Sequence, residues 1–169
     1  ILYMAFDSIA VSVVIPVYNV ASFIKRTISS LLSQSLDSVE LIFVDDCSTD
    51  DSIKTINAIL QEYMDSPKSI KFLKKKKNSG PSCSRNNGLI VAKGEYVFFC
   101  DSDDWLENTA LELLYDHAKN EKADFVYCDF FMNYKNEEVY TKSVPFSSNK
   151  KVFTQYYLMN GWPVVWNKL

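Results

Sequence analysis

Short, β-branched apolar runs alternate along this chain with longer segments of helical spacing, and that alternation restricts the fold more than any other property. Val11 to Val17 (VSVVIPV), Val39 to Val44 (VELIFV), Ile70 to Leu73 and Glu95 to Cys100 read as strands. The first, second and fourth, apolar along nearly their whole length rather than at every second residue, suit strands buried on both faces. Between them, Ala21 to Gln34 carries Phe23, Ile24, Ile28, Leu31 and Leu32 at helical spacing. Ser52 to Tyr63 does the same with Ile53, Ile56, Leu60 and Tyr63. Pro81 to Ala92 reads as a third helix closed by Gly94, Leu106 to Asn120 as a fourth, and Asp124 to Phe131 as a further strand. Strand–helix alternation implies parallel βαβ units. The expected fold is therefore α/β, an open and mostly parallel sheet with helices on both faces. Tyr134 to Lys151 is polar and reads as a loop or hairpin, and Phe153 to Met159 as a helix stopped by NGWP. A chain of 169 residues suffices for one domain with a sizeable core.

The polar clusters fall in one phase of this pattern. PVYN ends the first strand, DDCSTDD the second and DSDD the fourth. Ligands of open α/β sheets bind in the crevice outside the carboxyl ends of the strands. Three polar clusters at one edge therefore point to one site.

Composition removes several alternatives. The formal charge of −3 lacks the basic excess of a nucleic-acid binder. No apolar stretch reaches the roughly 18 residues that span a bilayer. The opening ILYMAF lacks a charged leader and a long apolar region, so no signal peptide is expected and Met4 is a candidate start. The four cysteines form no C-x-x-C pair, which argues against zinc. Cys100 and Cys128, inside apolar runs, are expected to be reduced core residues, which favours a reducing compartment. One histidine, His117, reads as a surface residue on a helix, and a Ser-His-Asp triad is disfavoured. With only four glycines, the chain has neither a Walker loop nor a dinucleotide fingerprint. A phosphate would have to be held by metal and side chains instead.

Two explanations compete for the DSDD run. Helix capping would use one of its acids. Asp101, Asp103 and Asp104 repel one another, so two are left over. Hard divalent cations take carboxylate oxygens together with substrate phosphate oxygens, and would relieve the repulsion. In DDCSTDD, residues 48 to 51 suit a turn and cap. Asp45 and Asp46 precede that turn, where a carboxylate either serves the turn or accepts from a ligand's ring N–H or ribose hydroxyl. The KKKK tract at 74 to 77 reads as a solvated strand end, with attraction to anionic lipid head groups as the alternative.

VSVVIPVYN, VDDCSTDDS, NSGPSCSRNNGL, KGEYVFFCDSDD and WNKL, in this order, resemble the successive signatures of family 2 glycosyltransferases. The resemblance runs from about residue 11 to 169. It implies an inverting enzyme of bacterial type with the Rossmann-like A-type nucleotide-diphosphosugar fold. Its substrates would be a sugar nucleotide, UDP-linked by first choice, and a glycan or lipid-linked acceptor in cell-surface polysaccharide assembly. Carried over by position, Pro16 and Tyr18 would line the base and ribose pocket, and Asn19 would be nucleotide-binding. Asp46 would accept from the base N–H, Arg85 would close over the nucleotide, Asp101 would meet the ribose or the metal shell, and Ser102 would be nucleotide-binding. Asp101 and Asp103 would form the D-x-D that holds Mn²⁺ or Mg²⁺. Cys47 stands where the family usually has Gly, which puts the tight turn after Asp46 in doubt, and Ser84 stands where Ala is common. The family's catalytic carboxylate lies some tens of residues after WNKL. The chain is thus expected to be the donor-binding portion of a single domain, with the general base beyond Leu169. Asp129, the nearest upstream acid in a strand, is not marked as that base. The alternatives are a non-catalytic fragment that binds a nucleotide sugar, and a nucleotidyltransferase, which PVYN disfavours. A cytoplasmic location is expected, with peripheral contact at the inner face of the membrane left open.

Overall fold

The computed structural model describes residues 8–135 and 137–142. Four parallel strands form the main sheet: β1 (Val11–Val17), β2 (Val39–Asp45), β3 (Ser69–Lys74) and β4 (Tyr96–Phe99), in the order β3-β2-β1-β4. In register, Val11 lies beside Val39 on one side and Tyr96 on the other. Four helices connect the strands or follow them: α1 (Ile24–Leu32), α2 (Ser52–Glu62), α3 (Pro81–Val91) and α4 (Ala110–Glu121).

Both faces of the sheet are covered, as the apolar strands require. Val11, Val13, Ile15 and Val17 of β1 pack in one core with Ile24, Ile28 and Leu31 of α1, Ile56 of α2 and Leu111 of α4. Val14, Ile42 and Val44 face the other way, against Val91 and its neighbours at the end of α3. α3 rests close to the sheet because Gly88 has no side chain: a Cβ there would lie 2.3 Å from Val14 Cγ1. A buried polar group sits within the sheet. Glu40, fully buried, pairs with Lys71 at 2.5 Å and accepts from Ser12 Oγ at 2.6 Å.

Several expected boundaries move for local reasons. α1 begins at Ile24 rather than Ala21 because the preceding backbone is used elsewhere. The Val20 N–H donates to Ser52 Oγ (2.7 Å) and the Ala21 N–H to Asp50 Oδ2 (3.1 Å). α4 begins at Ala110 rather than Leu106 because residues 106–108 are tied sideways to α1. The Leu106 N–H donates to Ser30 Oγ, and the carbonyls of Glu107 and Asn108 accept from Gln34 Nε2 and the Ser35 N–H. α3 ends at Val91, and Gly94 does not close it. Gly94 instead permits a close approach to β1, since a Cβ would lie 2.4 Å from the Ser12 nitrogen.

The strand expected over Asp124 to Phe131 is a different object. β5 (Phe130–Asn133) and β6 (Glu138–Thr141) form a separate antiparallel hairpin, in which Phe131 faces Tyr140 with ring centroids 5.2 Å apart. That cross-strand partner sets the position of the strand. The expected helix at Phe153 to Met159 and the WNKL stretch lie outside the described residues.

Candidate active site

Chain order reverses between β1 and β4: β2 and β3 extend the sheet to one side, β4 to the other. Such a switch point opens a crevice at the carboxyl ends of the strands. Here it is a cleft of about 500 Å³, lined by Pro16, Tyr18, Asp46, Arg85, Asp101, Ser102 and Asp103 among others. This size suits a small-molecule ligand. Seven of the eight residues singled out from sequence thus meet in one place. Asn19 is the exception. Its backbone is left-handed (φ 53°), and its side-chain oxygen accepts from the Thr49 N–H at 2.8 Å and the Asp50 N–H at 3.3 Å. It braces the loop after β2 rather than lining the cleft.

Asp46 follows β2 directly, and its own N–H bonds the Val17 carbonyl of β1. Its nearly buried carboxylate accepts from three donors: Lys75 Nζ and the Ser79 N–H on Oδ1 (2.6 and 2.9 Å), and the Gly80 N–H on Oδ2 (2.7 Å). Burial alone would raise its pKa. The Lys75 ammonium and the two backbone donors outweigh that and hold it below the ordinary value. The carboxylate shapes the turn into α3 and still borders the cleft. Neighbouring Asp45 accepts from the Ser48 N–H at 2.9 Å, as turn chemistry predicts. Cys47 holds the turn in a left-handed conformation (φ 69°) that glycine would adopt more easily. The tight turn after Asp46 is thus kept without glycine.

Capping does not explain the acids after β4. α4 starts six residues past Asp104 with Thr109 at its N-cap. Arg85 Nη2 pairs with Asp101 Oδ1 at 2.5 Å, while the buried Arg85 Nε has no protein partner among the described residues. Ser102 is buried, and its carbonyl accepts from Thr27 Oγ1 at 2.9 Å. Asp103 is exposed. Asp104 is raised to about 6 by burial and by the like charges of Asp103 and Asp101. The Arg26 guanidinium lies 3.1 Å from the Trp105 ring centroid, so α1 holds the far end of this loop as well.

Among the described residues, no three His, Cys, Asp or Glu side chains converge as a closed metal cage. A cation that takes one or two carboxylates and completes its shell with water and phosphate needs no such cage. Asp101 and Asp103, hard oxygen donors on the rim of the cleft, fit that type of binding. The Arg85 guanidinium, paired through Nη2 with Asp101 on the same rim, suits a phosphate.

Sequence reasoning missed Lys75. The tract is not uniformly solvated: Lys74, Lys76 and Lys77 are exposed, whereas the Lys75 side chain is 8% exposed and bonded to Asp46. The signal was period two. Lys71, Leu73 and Lys75 share one side of the strand and its continuation. Cys100 is a buried free cysteine, its thiol pushed up by burial and the acids after it, whereas Cys128, also expected in the core, is only partly buried.

An open parallel sheet with an acidic cleft at its switch point defines an α/β ligand-binding domain. Residues 12–166 match the model described as "Glycosyl transferase family 2", and the chain belongs to that family. It is 44% identical over 119 residues to the poly(ribitol-phosphate) β-N-acetylglucosaminyltransferase TarP of Staphylococcus aureus, covering 69% of this chain and 35% of that protein. An uncharacterized glycosyltransferase of Haemophilus influenzae is 39% identical over 124 residues, 70% of this chain and 48% of the relative. The chain thus spans less than half the length of these relatives. Among solved structures, S. aureus TarS in complex with UDP superposes with a TM-score of 0.67 at 29% identity, over 83% of this chain and 39% of that one. It has the same open, mostly parallel architecture flanked by helices.

Proposed function

We propose that this chain is the donor-binding portion of an inverting glycosyltransferase. The enzyme would transfer a sugar from a UDP-sugar to a glycan or lipid-linked acceptor in cell-surface polysaccharide assembly. The observation that carries the reading is the convergence of Tyr18, Asp46, Arg85, Asp101 and Asp103 on one cleft at the sheet's switch point. Structures of the similar TarS with UDP and with UDP-GlcNAc support a uridine donor. The similar TarP, a poly(ribitol-phosphate) β-N-acetylglucosaminyltransferase, supports a polymer as acceptor.

In this reading Pro16 and the half-exposed Tyr18 flank the base and ribose. Asp46 stays ionised under Lys75 and the turn amides, and presents an acceptor to the base. Arg85, in the cleft lining, turns its guanidinium to the diphosphate. A Mn²⁺ or Mg²⁺ ion held by Asp101 and Asp103 supplies Lewis-acid stabilisation to the leaving diphosphate when bound. The part-length match to relatives supports placing the acceptor site and general base in other sequence.

Thermal shift with UDP, GDP and CDP, each with Mn²⁺ or with EDTA, tests this. UDP with Mn²⁺ is expected to stabilise the fold most, by about 2.7 kcal/mol at a hundred times its dissociation constant. Equal stabilisation in EDTA would remove the metal from the account. No response to any nucleotide would remove the donor site.

A further inference from the structure

The cleft is backed by a cation that no role above assigns to the ligand. Lys75 lies one residue past β3 with its side chain almost fully buried. Its Nζ is 2.6 Å from Asp46 Oδ1 and 3.3 Å from Ser84 Oγ. One ammonium thereby joins the ends of β3 and β2 and the first turn of α3. Asp46 in turn holds the Ser79 and Gly80 amides, the residues that lead into α3. Arg85 directly follows Ser84 and reaches across to Asp101.

We infer that Lys75 is a positioning residue for the nucleotide pocket: its ammonium fixes Asp46 and the first turn of α3, and so sets where Asp46 and Arg85 meet a nucleoside diphosphate. The inference rests on the donor-binding reading above. Its physical basis is the cost of an unmatched charge. Without Lys75, Asp46 would keep only two neutral donors at a site with little access to water, and a buried charge left without its partner drives local rearrangement. The exposed Lys76, one residue on, carries the same charge without these contacts and separates positioning from simple attraction of an anionic ligand.

The test compares the 169-residue chain with Lys75→Met, Lys75→Arg and Lys76→Met. UDP affinity is measured by calorimetry with Mg²⁺ present, and amide exchange at Ser79 and Gly80 by NMR without ligand. Lys75→Met is expected to weaken UDP by about tenfold or more, the scale of one charge-assisted hydrogen bond, and to speed exchange at both amides. Lys75→Arg is expected to recover most of both effects, and Lys76→Met to show neither. An affinity within about twofold of the parent overturns the inference, even with faster exchange, because Lys75 would then serve the fold alone. Equal weakening by Lys76→Met overturns it too, in favour of general charge attraction. If Lys75→Met unfolds, Lys75→Gln keeps a donor without the charge and is read by the same two measurements. If the parent chain fails to bind UDP, the donor reading falls, and unchanged exchange at Ser79 and Gly80 in Lys75→Met would then overturn the positioning role independently.

Discussion

A carboxylate as buried as that of Asp46 stays ionised only because Lys75 and two backbone amides face it. This has a consequence in acid. The folded pKa lies below the ordinary value of 3.8. The stabilisation is therefore complete above about pH 3.8 and is lost as pH falls through the lower folded value. Asp46→Asn should cost about 3 kcal/mol at pH 7, because it leaves Lys75 nearly buried beside a neutral amide. The gap between variant and parent should narrow below about pH 3.8, where the unfolded chain's carboxylate takes up a proton before the folded one does. Urea denaturation at pH 7, 4.5 and 3 measures this, and a gap constant across the three would contradict the ion pair. The acids were legible in the sequence because charge placed directly after buried strands needs a reason. Lys75 was harder to see, because in KKKK only the phase of the preceding strand says which lysine turns inward. Cys47 was legible as a departure from glycine, but the left-handed turn it still makes was not.

At the scale of elements, strands were read well and helix starts poorly. A strand buried on both faces, as β1 and β2 are, is marked by composition alone; β3, an edge strand with Phe72 exposed, and β4, an edge strand only partly buried where full burial was expected, still fall where their apolar runs do. Where a helix begins depends on what its first backbone groups bond to, and for α1 and α4 those partners lie 29 to 77 residues away in sequence. The hairpin β5–β6 shows the same limit, since Phe131 is placed by Tyr140 and not by its own run. Gly88 matters for packing between elements. Gly88→Ala should destabilise by about 1–3 kcal/mol, the usual cost of an added methyl in a closed core, despite alanine's better helix propensity. Thermal and urea unfolding would show it. A stabilised variant would mean that α3 can lift from Val14 without cost.

At the scale of the whole molecule, the order β3-β2-β1-β4 makes one site out of motifs spread from Pro16 to Asp103. Strand order itself is not written in any single segment. What the sequence held was the phase, with each polar cluster at the carboxyl end of its strand, and parallel pairing turns that phase into proximity. The proposed function places a uridine diphosphate at the β1–β4 switch point with its diphosphate toward Asp101 and Asp103. The most direct measurement is an NMR titration of the ¹⁵N-labelled chain with UDP and Mg²⁺. Shift changes are expected to concentrate at Tyr18, Asp46, Gly80, Arg85 and Ser102 to Asp104, and EDTA to remove those at Ser102 to Asp104. Shifts centred elsewhere, for example on the β5–β6 hairpin or the outer face of α4, with the cleft residues unmoved, would contradict it.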